Sequence, residues 1–312
     1  MGQDLGAIPE LLEDFVTELR RANKATGTID VYSQDVGYFV AYLQAQSPPI
    51  EANADALTRD NLGNYIVDTL GRTNRRTGKP ISPEYAHRQY RSLQQFCAYL
   101  ESEGILEANP FDKMTPPHVP EKPVPVPPIE DLRKLLAACE GTDFEARRDT
   151  AIIRLMADIG PRVGEIATLE IDALDFQENT VLVLGKGRRP RTLPFGDKTR
   201  IALRRYLRIR ARHPKAANDN AALWLGKRGK MTGWGIYQIL ERRAEAAGIK
   251  HLHPHQLRHF FAHNWLANGG QEQDLMMLAG WRSRQMIGRY ARATAETRAR
   301  DAHRKARLGD KL

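Results

Sequence analysis

The sequence has few of the features that mark membrane-spanning and disulfide-bonded proteins. Its 312 residues contain no uninterrupted apolar run near the roughly 20 residues that a membrane span requires. The N-terminal stretch MGQDLGAIPELLEDF is acidic and lacks the basic-then-apolar pattern of a secretory signal. The two cysteines, Cys97 and Cys139, stand 42 positions apart and form no CxxC pair. We therefore expect two buried thiols in a reducing, cytoplasmic compartment and no membrane partner.

Basic charge is concentrated in the second half of the chain. The whole sequence carries a net charge of +9. Residues 1–115 hold 11 Lys and Arg against 16 Asp and Glu, whereas residues 116–312 hold 36 against 22. Basic surfaces attract nucleic acid because they neutralise phosphates and release counterions. The distribution favours a nucleic-acid partner for the second half, and solvated surface charge is the alternative.

A proline-rich segment divides the chain. Residues 115–128, TPPHVPEKPVPVPP, contain seven prolines in 14 positions and can continue neither a helix nor a central strand. Segments of this composition act as semi-rigid extended linkers. We therefore predict one domain over residues 1–114 and another over residues 129–312.

Apolar spacing predicts helices on both sides of this linker. The four predicted before it are PELLEDFVTELRRAN, TIDVYSQDVGYFVAYLQAQ, RDNLGNYIVDTL and SPEYAHRQYRSLQQFCAYLESEG, the last beginning at a Ser82 cap. After it, IEDLRKLLAACE and RRDTAIIRLMADIG are helical, and NTVLVLGKGRRPRTLPF predicts two short strands joined by a basic, glycine-rich turn. The remainder is largely helical. The predicted fold class is mainly α with a small antiparallel β-sheet.

Five histidines within thirteen residues raise the question of a metal site. In HLHPHQLRHFFAH, residues 251–263, His255, His259 and His263 recur every four residues and would stack on one face of a helix. Zinc sites take four ligands rich in cysteine, or three ligands with supporting groups. No HExxH motif occurs and neither cysteine lies nearby. Phosphate contact is therefore favoured over a metal or a purely structural role.

The phosphate interpretation depends on Arg258. His255 and Arg258, three residues apart, share a helix face near its predicted start. A guanidinium fork binds two phosphate oxygens, while a histidine donates to a third or moves a proton. Three other residues add to this pair: Arg162 at the Gly-Pro break of DIGPRVGEIATL, Lys186 at the tip of the turn GKGRRP, and Tyr290 in the basic stretch AGWRSRQMIGRYAR.

Taken in order, these motifs resemble the tyrosine recombinase (phage integrase) family over nearly the whole chain. The matched motifs are the GxRxxE box at residues 160–165, the hairpin lysine at Lys186, the HxLRH box at residues 255–259, the LGH/W box at residues 278–281, and the nucleophile box at Tyr290, nine residues after Trp281. Pro161 stands where the family usually has an aliphatic residue. The sequence is most similar to simple two-domain recombinases of the Cre and Xer type.

The resemblance implies DNA cleavage and rejoining. Tyr290 would attack the scissile phosphodiester, forming a 3′-phosphotyrosyl link and freeing a 5′-hydroxyl. Arg162 and Arg258 would neutralise the non-bridging oxygens in the transition state. Lys186 would protonate the leaving oxygen. His255 would accept the tyrosine proton or act as a further phosphate donor.

The remaining implied residues support this chemistry or bind DNA. Trp281 would pack against the site and donate its indole N–H, Glu165 would orient an arginine, and His259 would hydrogen-bond nearby backbone or phosphate. Because the bond energy is kept in the covalent link, neither a metal nor any other cofactor is expected. The expected DNA contacts are Arg72, Arg75, Arg76, Lys79, Arg88, Arg188, Arg189 and Arg191.

The resemblance also implies an architecture and a set of partners. Residues 1–114 would form a helical, SAM-like core-binding domain, and residues 129–312 a mixed α/β catalytic domain with a C-terminal tail helix. The tail would dock onto a neighbouring protomer in a cyclic homotetramer on two DNA duplexes. The implied function is site-specific recombination at a particular double-stranded site, for integration or excision of a mobile element in a bacterium or phage. A directionality factor is a further candidate partner.

Two other functions share the same motifs. A type IB topoisomerase would use the same chemistry to relax supercoils without a specific paired site. A DNA-binding regulator descended from a recombinase would keep the fold and lose the tyrosine or an arginine, and this sequence retains Arg162, Arg258 and Tyr290.

Overall fold

The computed structural model describes the chain in two compact units. The described residues are 6–120, 125–185, 189–216, 221–250, 252–284, 286–288, 299–300 and 303–304. Lys186, Arg188 and Tyr290 lie outside them, as does most of the predicted tail helix. The two units are Met1–Lys122 and Pro123–Leu312. Their boundary falls inside the proline-rich segment at residues 115–128.

Four α-helices form the framework of the first unit. They are α1 (Ile8–Arg21), α2 (Thr26–Gln44), α3 (Arg59–Gly71) and α4 (Pro83–Ser102), in the places that apolar spacing predicted. The side chain of Thr58 accepts a hydrogen bond from the backbone N–H of Asn61 (3.2 Å) and caps α3. Ser82 accepts one from Tyr85 (3.3 Å) and caps α4, so the predicted Ser82 cap is confirmed.

Buried polar groups in the first unit are paired with one another across helices. The Tyr65 hydroxyl donates to Oε1 of Gln89 (2.7 Å) within the apolar core. The fully buried carboxylate of Asp35 accepts hydrogen bonds from the Ser92 hydroxyl (2.6 Å) and from Nη2 of Arg88 (2.7 Å). These bonds join α2 to α4, because a buried carboxylate is stable only when its charge is matched.

The second unit contains seven helices and two small sheets among its described residues. In chain order they are α5 (Ile129–Ala137), α6 (Phe144–Ile159), α7 (Val163–Ala167), β1 (Leu174–Asp175), β2 (Thr180–Leu184), β3 (Pro190–Pro194), α8 (Asp197–Arg210), β4 (Leu225–Gly226), β5 (Gly229–Lys230), α9 (Gly233–Ala246), α10 (Pro254–Ala267) and α11 (Glu272–Ala279). Both sheets, β1-β2-β3 and β4-β5, are antiparallel. The predicted fold class, mainly α with a small antiparallel sheet, is confirmed. No helix in the described part of the chain has the length and apolar character needed to cross a membrane.

The hairpin of β2 and β3 presents its inner face to the core. Val181 pairs with Leu193, and all three of Val181, Val183 and Leu193 are buried. Val183 pairs with Arg191, so that arginine leaves the strand on the same inward face. This register brings a guanidinium into the interior of the unit.

Helix α6 is the central element of the second unit. It packs against α8 and α10, and its residues Ile152 and Leu155 are fully buried. Asp143 caps its start by accepting a hydrogen bond from the backbone N–H of Ala146 (3.0 Å), and this bond is the main reason that the pKa of Asp143 lies below its ordinary value. The helix ends at Gly160, which adopts the left-handed conformation (φ 57°).

A buried carboxylate ties α6 to α9. Asp149 is fully buried and accepts hydrogen bonds from Nε of Arg148 (2.9 Å), Nη2 of Arg242 (3.0 Å) and Nε of Arg243 (2.8 Å). Two of these arginines come from α9, so one carboxylate holds two helices together. Removing it would leave guanidinium charges in the interior without a counter-charge.

We expect Asp149→Asn to lower the free energy of unfolding of the second unit by about 3–5 kcal/mol, because three arginines lose their shared carboxylate. Urea unfolding followed by circular dichroism measures the change. Asp197→Asn is the control, since Asp197 is 76% exposed and pairs only with Arg200 at the surface (2.9 Å), a contact worth at most about 1 kcal/mol. Equal losses in the two variants would contradict the assigned role of Asp149.

Candidate active site

The turn between α6 and α7 positions Arg162. Gly160 ends α6 and donates its N–H to the carbonyl of Met156 (3.1 Å), and the chain then passes through Pro161. Arg162 is the N-cap residue of α7, as the predicted Gly-Pro break between two helices requires. Its backbone N–H donates to Oε2 of Glu165 (2.8 Å), and 38% of its side chain is exposed. The turn therefore presents a guanidinium to solvent from a rigid backbone.

The carboxylate of Glu165 accepts four hydrogen bonds from two arginines. Besides the backbone N–H of Arg162, it accepts Nη1 of Arg162 (2.9 Å), Nη1 of Arg191 (3.0 Å) and Nη2 of Arg191 (2.6 Å). Burial alone would raise the pKa of Glu165. The hydrogen bonds and charge of Arg191, together with those of Arg162, outweigh burial and hold the pKa below its ordinary value. Glu165 therefore stays ionised, and it binds the arginines as the sequence predicted.

Arg191 is directed into the protein. Sequence analysis grouped it with the DNA contacts, but only 14% of its side chain is exposed. In addition to its two bonds with Glu165, its Nε donates to the carbonyl of Leu278 (2.9 Å) near the end of α11. The alternation of β3 contained the relevant signal, because Arg191 lies two residues from the buried Leu193 on the same face of the strand.

Arg258 is held between the C-terminal ends of two helices. It is 4% exposed, and its Nη1 donates to the carbonyl of Gly160 (2.7 Å) while its Nη2 donates to the carbonyl of Ala279 (2.6 Å). Helix C-termini carry partial negative charge and carbonyls without partners in the helix, so they stabilise a buried cation. The guanidinium also lies 5.3 Å from the ring centroid of Trp281. These contacts determine the plane of the guanidinium.

His255 lies close enough to both arginines for their charges to act on it. Its side chain is exposed on the first turn of α10, and its ring centroid is 6.3 Å from that of His259. Partial desolvation, followed by the charges of Arg258 and Arg162, lowers the pKa of His255 from its ordinary value. A neutral imidazole is therefore favoured at neutral pH in the absence of DNA, which suits a proton acceptor.

Trp281 follows directly on the end of α11. Gly280 ends that helix in the left-handed conformation (φ 64°), and the backbone N–H of Trp281 donates to the carbonyl of Met276 (2.9 Å). The Trp281 side chain is 7% exposed and packs in an apolar cluster with Phe261 and Leu275. Its ring therefore supports Arg258 from inside the protein.

An aromatic surface that sequence analysis did not identify lies beside His255. Trp234 is 64% exposed and stacks on Tyr237 (ring centroids 5.0 Å), which stacks in turn on His253 (5.6 Å). These three residues line one open groove together with His255 and Val163. Exposed aromatic rings next to cationic side chains are suited to contact with nucleic acid. The signal in the sequence, a lone tryptophan at a helix start, was too weak to indicate this.

The other expected DNA contacts differ in their surroundings. Arg75, Arg76 and Lys79 are exposed on the loop between α3 and α4, where the N–H of Asn74 donates to the carbonyl of Lys79 (2.8 Å). Arg189 is exposed before β3. Arg72 pairs with Asp68 on its own helix turn, and Arg88 pairs with Asp35 and lies 4.7 Å from the ring centroid of Tyr85. Lys186, Arg188 and Tyr290 are outside the described residues. In the described part of the chain, which leaves out His251, no three His, Cys, Asp or Glu side chains are grouped as a metal site would need.

Comparison with known proteins gives the same family as the motifs. Residues 128–297 match the phage integrase family. The tyrosine recombinase XerC of Oceanobacillus iheyensis is 30% identical over 303 residues, which cover 95% of each protein. The chain therefore belongs to the phage integrase family and is a site-specific tyrosine recombinase. This confirms the resemblance and the class of enzyme that sequence analysis inferred.

Solved structures share the fold at low sequence identity. The Tn1549 transposon integrase, in complex with transposon right end DNA, has a TM-score of 0.70 at 18% identity, covering 96% of this chain and 99% of that one. A lambda integrase tetramer bound to a Holliday junction has a TM-score of 0.66 at 13% identity, covering 90% and 79%.

We expect Gly160→Ala to destabilise the second unit by about 1–3 kcal/mol, because the new Cβ would lie 2.3 Å from Cδ1 of Phe261 at a left-handed residue. Urea unfolding measures this. Gly164→Ala, in the same box but with no atom within 4 Å of its new Cβ, should be neutral or stabilising by up to about 1 kcal/mol. If Gly160→Ala were as stable as Gly164→Ala, the close packing of Gly160 against α10 would be refuted.

Proposed function

We propose that this recombinase cleaves and rejoins DNA at a specific double-stranded site through a 3′-phosphotyrosyl intermediate on Tyr290. The observation that carries the proposal is the arrangement of Arg162, Arg258 and His255. Arg258 donates to the carbonyl of Gly160, two residues before Arg162, and the charges of both arginines act on His255. Three nitrogen-bearing side chains from α6–α7 and α10 thus surround one place that suits a phosphate.

The chemistry follows from these groups. The Tyr290 oxygen attacks phosphorus, the bond from phosphorus to the 5′-oxygen breaks, and Lys186 supplies the proton that the leaving 5′-oxygen needs. His255, which is favoured as neutral in the free enzyme, accepts the tyrosine proton; donation to a phosphate oxygen is its alternative role. Arg162 and Arg258 neutralise the non-bridging oxygens as charge develops. The roles of Lys186 and Tyr290 come from their matched motifs, since both lie outside the described residues.

The remaining parts of the proposal concern DNA binding and assembly. Residues 1–114 would act as a core-binding domain, with the exposed Arg75, Arg76 and Lys79 on the phosphate backbone. Arg188 and Arg189 would bind DNA next to Lys186. A homotetramer on two duplexes, joined through the C-terminal tail, would carry out strand exchange, in the manner that the lambda integrase tetramer on a Holliday junction suggests.

Integration or excision of a mobile element is the biological setting that we propose. The similarity in fold to a transposon integrase bound to transposon end DNA supports it. A directionality factor would then choose between the two directions. Repeats flanking the gene would identify the target site and supply the DNA for the following experiment.

We expect wild-type protein to form a covalent adduct with a nicked suicide duplex carrying its own site, and Tyr290→Phe to form none while binding the DNA with similar affinity. Denaturing gel electrophoresis detects the adduct. Strand exchange between two sites would establish recombination, whereas relaxation of supercoiled DNA that lacks the site would favour the topoisomerase alternative. Absence of a wild-type adduct would refute the phosphotyrosyl mechanism and leave the regulator alternative.

We expect His255 of the free protein to titrate below the ordinary histidine pKa of about 6.5. The neutral form then persists to lower pH, and second-order cleavage at limiting DNA should decline as pH falls through this pKa. NMR titration of the imidazole measures it. Arg162→Gln should move the midpoint upward because one of the opposing charges is removed; Arg208→Gln, on an exposed part of α8, should not. A wild-type midpoint at or above 6.5 would be inconsistent with the environment of His255.

A further inference from the structure

Arg191 takes part in no step of the proposed chemistry, yet its guanidinium touches three segments that carry reacting groups. We propose that Arg191 is a positioning residue that holds the segments of Arg162, Lys186 and Trp281 in one arrangement and keeps the charge of Arg162 available to phosphate. This inference rests on the proposed function, since it assigns the residue to that reaction.

The first segment is reached through Glu165. Arg191 donates Nη1 to Oε1 (3.0 Å) and Nη2 to Oε2 (2.6 Å), a two-point contact that only a guanidinium makes with a carboxylate. The same carboxylate accepts the backbone N–H and Nη1 of Arg162. Arg191 therefore determines where the carboxylate lies, and the carboxylate determines where Arg162 lies.

The second segment is the end of α11. The Nε of Arg191 donates to the carbonyl of Leu278 (2.9 Å). A Cβ atom built on Gly280, the residue before Trp281, would lie 3.2 Å from Nη1 of Arg191 and 3.4 Å from its Cζ. The guanidinium thus lies directly against the turn that leads to Trp281.

The third segment is the hairpin. Arg191 lies on β3, and a Cβ atom built on Gly185 would lie 3.0 Å from Nη1 of Arg191. Gly185 immediately precedes Lys186. The guanidinium therefore supports the base of the turn that carries the proposed proton donor.

These contacts and those of Arg258 form a closed circuit. Arg162 binds Glu165, Glu165 binds Arg191, and Arg191 binds the Leu278 carbonyl. The next carbonyl, that of Ala279, binds Arg258, which binds the carbonyl of Gly160 two residues before Arg162. Because the circuit is closed, displacement of any one member displaces the relative positions of the two arginines.

Charge gives a second reason for Arg191. Glu165 is 5% exposed and Arg191 14%, so their attraction is weakly screened. Without Arg191 the carboxylate would have Arg162 as its only arginine partner, and the positive potential that Arg162 directs at phosphate would fall. With Arg191 present, two arginines share one negative charge. A lysine supplies the charge but not the planar set of three donors.

The test measures cleavage and binding separately. We expect Arg191→Gln to lower the single-turnover rate of adduct formation at saturating suicide DNA by about 10²-fold, as small misplacement of reacting groups does, while the dissociation constant for DNA changes by less than about threefold. Arg191→Lys should remain at least about 10-fold slow. Thr192→Val, on the exposed face of the same strand, is the control and should equal wild type.

Two further measurements separate positioning from loss of folding. In Arg191→Ala, millimolar methylguanidinium should restore part of the cleavage rate and methylammonium should not, because only the former reproduces the planar donors. In a double-mutant cycle, Arg191→Gln should add little to the defect of Glu165→Gln, since both act through one contact. If Arg191→Gln fails to fold, the lysine variant and the rescue decide the matter.

The outcomes distinguish this role from the proposed mechanism. If the wild-type adduct is absent, or persists in Tyr290→Phe, the proposed mechanism fails whatever Arg191 does. If the adduct depends on Tyr290 but Arg191→Gln cleaves at the wild-type rate, or loses only DNA affinity, positioning by Arg191 is refuted. Full additivity with Glu165→Gln, or equal rescue by methylammonium, also overturns it.

Discussion

The shared carboxylate of Glu165 is the contact on which the candidate active site depends. It is buried, so its charge is stable only because two guanidinium groups surround it. Arg162 approaches from the start of α7 and Arg191 from β3. Since Arg191 also binds the carbonyl of Leu278, a single carboxylate connects a helix, a hairpin and the end of a second helix. Segments distant in the chain are held within hydrogen-bonding distance of one another.

Two helix ends complete this arrangement. α6 and α11 both terminate at left-handed glycines, Gly160 and Gly280. The carbonyls of Gly160 and Ala279 both accept hydrogen bonds from Arg258. The partial negative charge of two helix C-termini therefore stabilises a cation that is almost fully buried. The same backbone turns that end the helices also lead directly to Arg162 and Trp281, so the fold positions the arginines and the aromatic side chain together.

Much of the fold could be predicted because its signals are local. Apolar spacing located the four helices of the first unit, Ser82 marked the start of α4, and strand-forming residues around GKGRRP marked the hairpin. The phosphate interpretation of Arg258 came from motif spacing, which is also local. Arg191 shows the limit. It was grouped with outward-facing arginines because a basic turn precedes it, although its strand register directs it toward Glu165. Long side chains reach several partners, and composition does not select among them.

The sequence by itself determined the helical framework, the division at the proline-rich segment, the family, and the order of the motifs along the chain. These depend on periodicity and spacing, which a linear chain carries in full. Only the tertiary structure decided that Arg191 binds Glu165 and Leu278, that Arg258 lies between two helix ends, and that an exposed Trp234 borders His255. Each of these depends on atoms from distant segments meeting at about 3 Å, or on which surface the packed helices leave open. No local pattern specifies such distances.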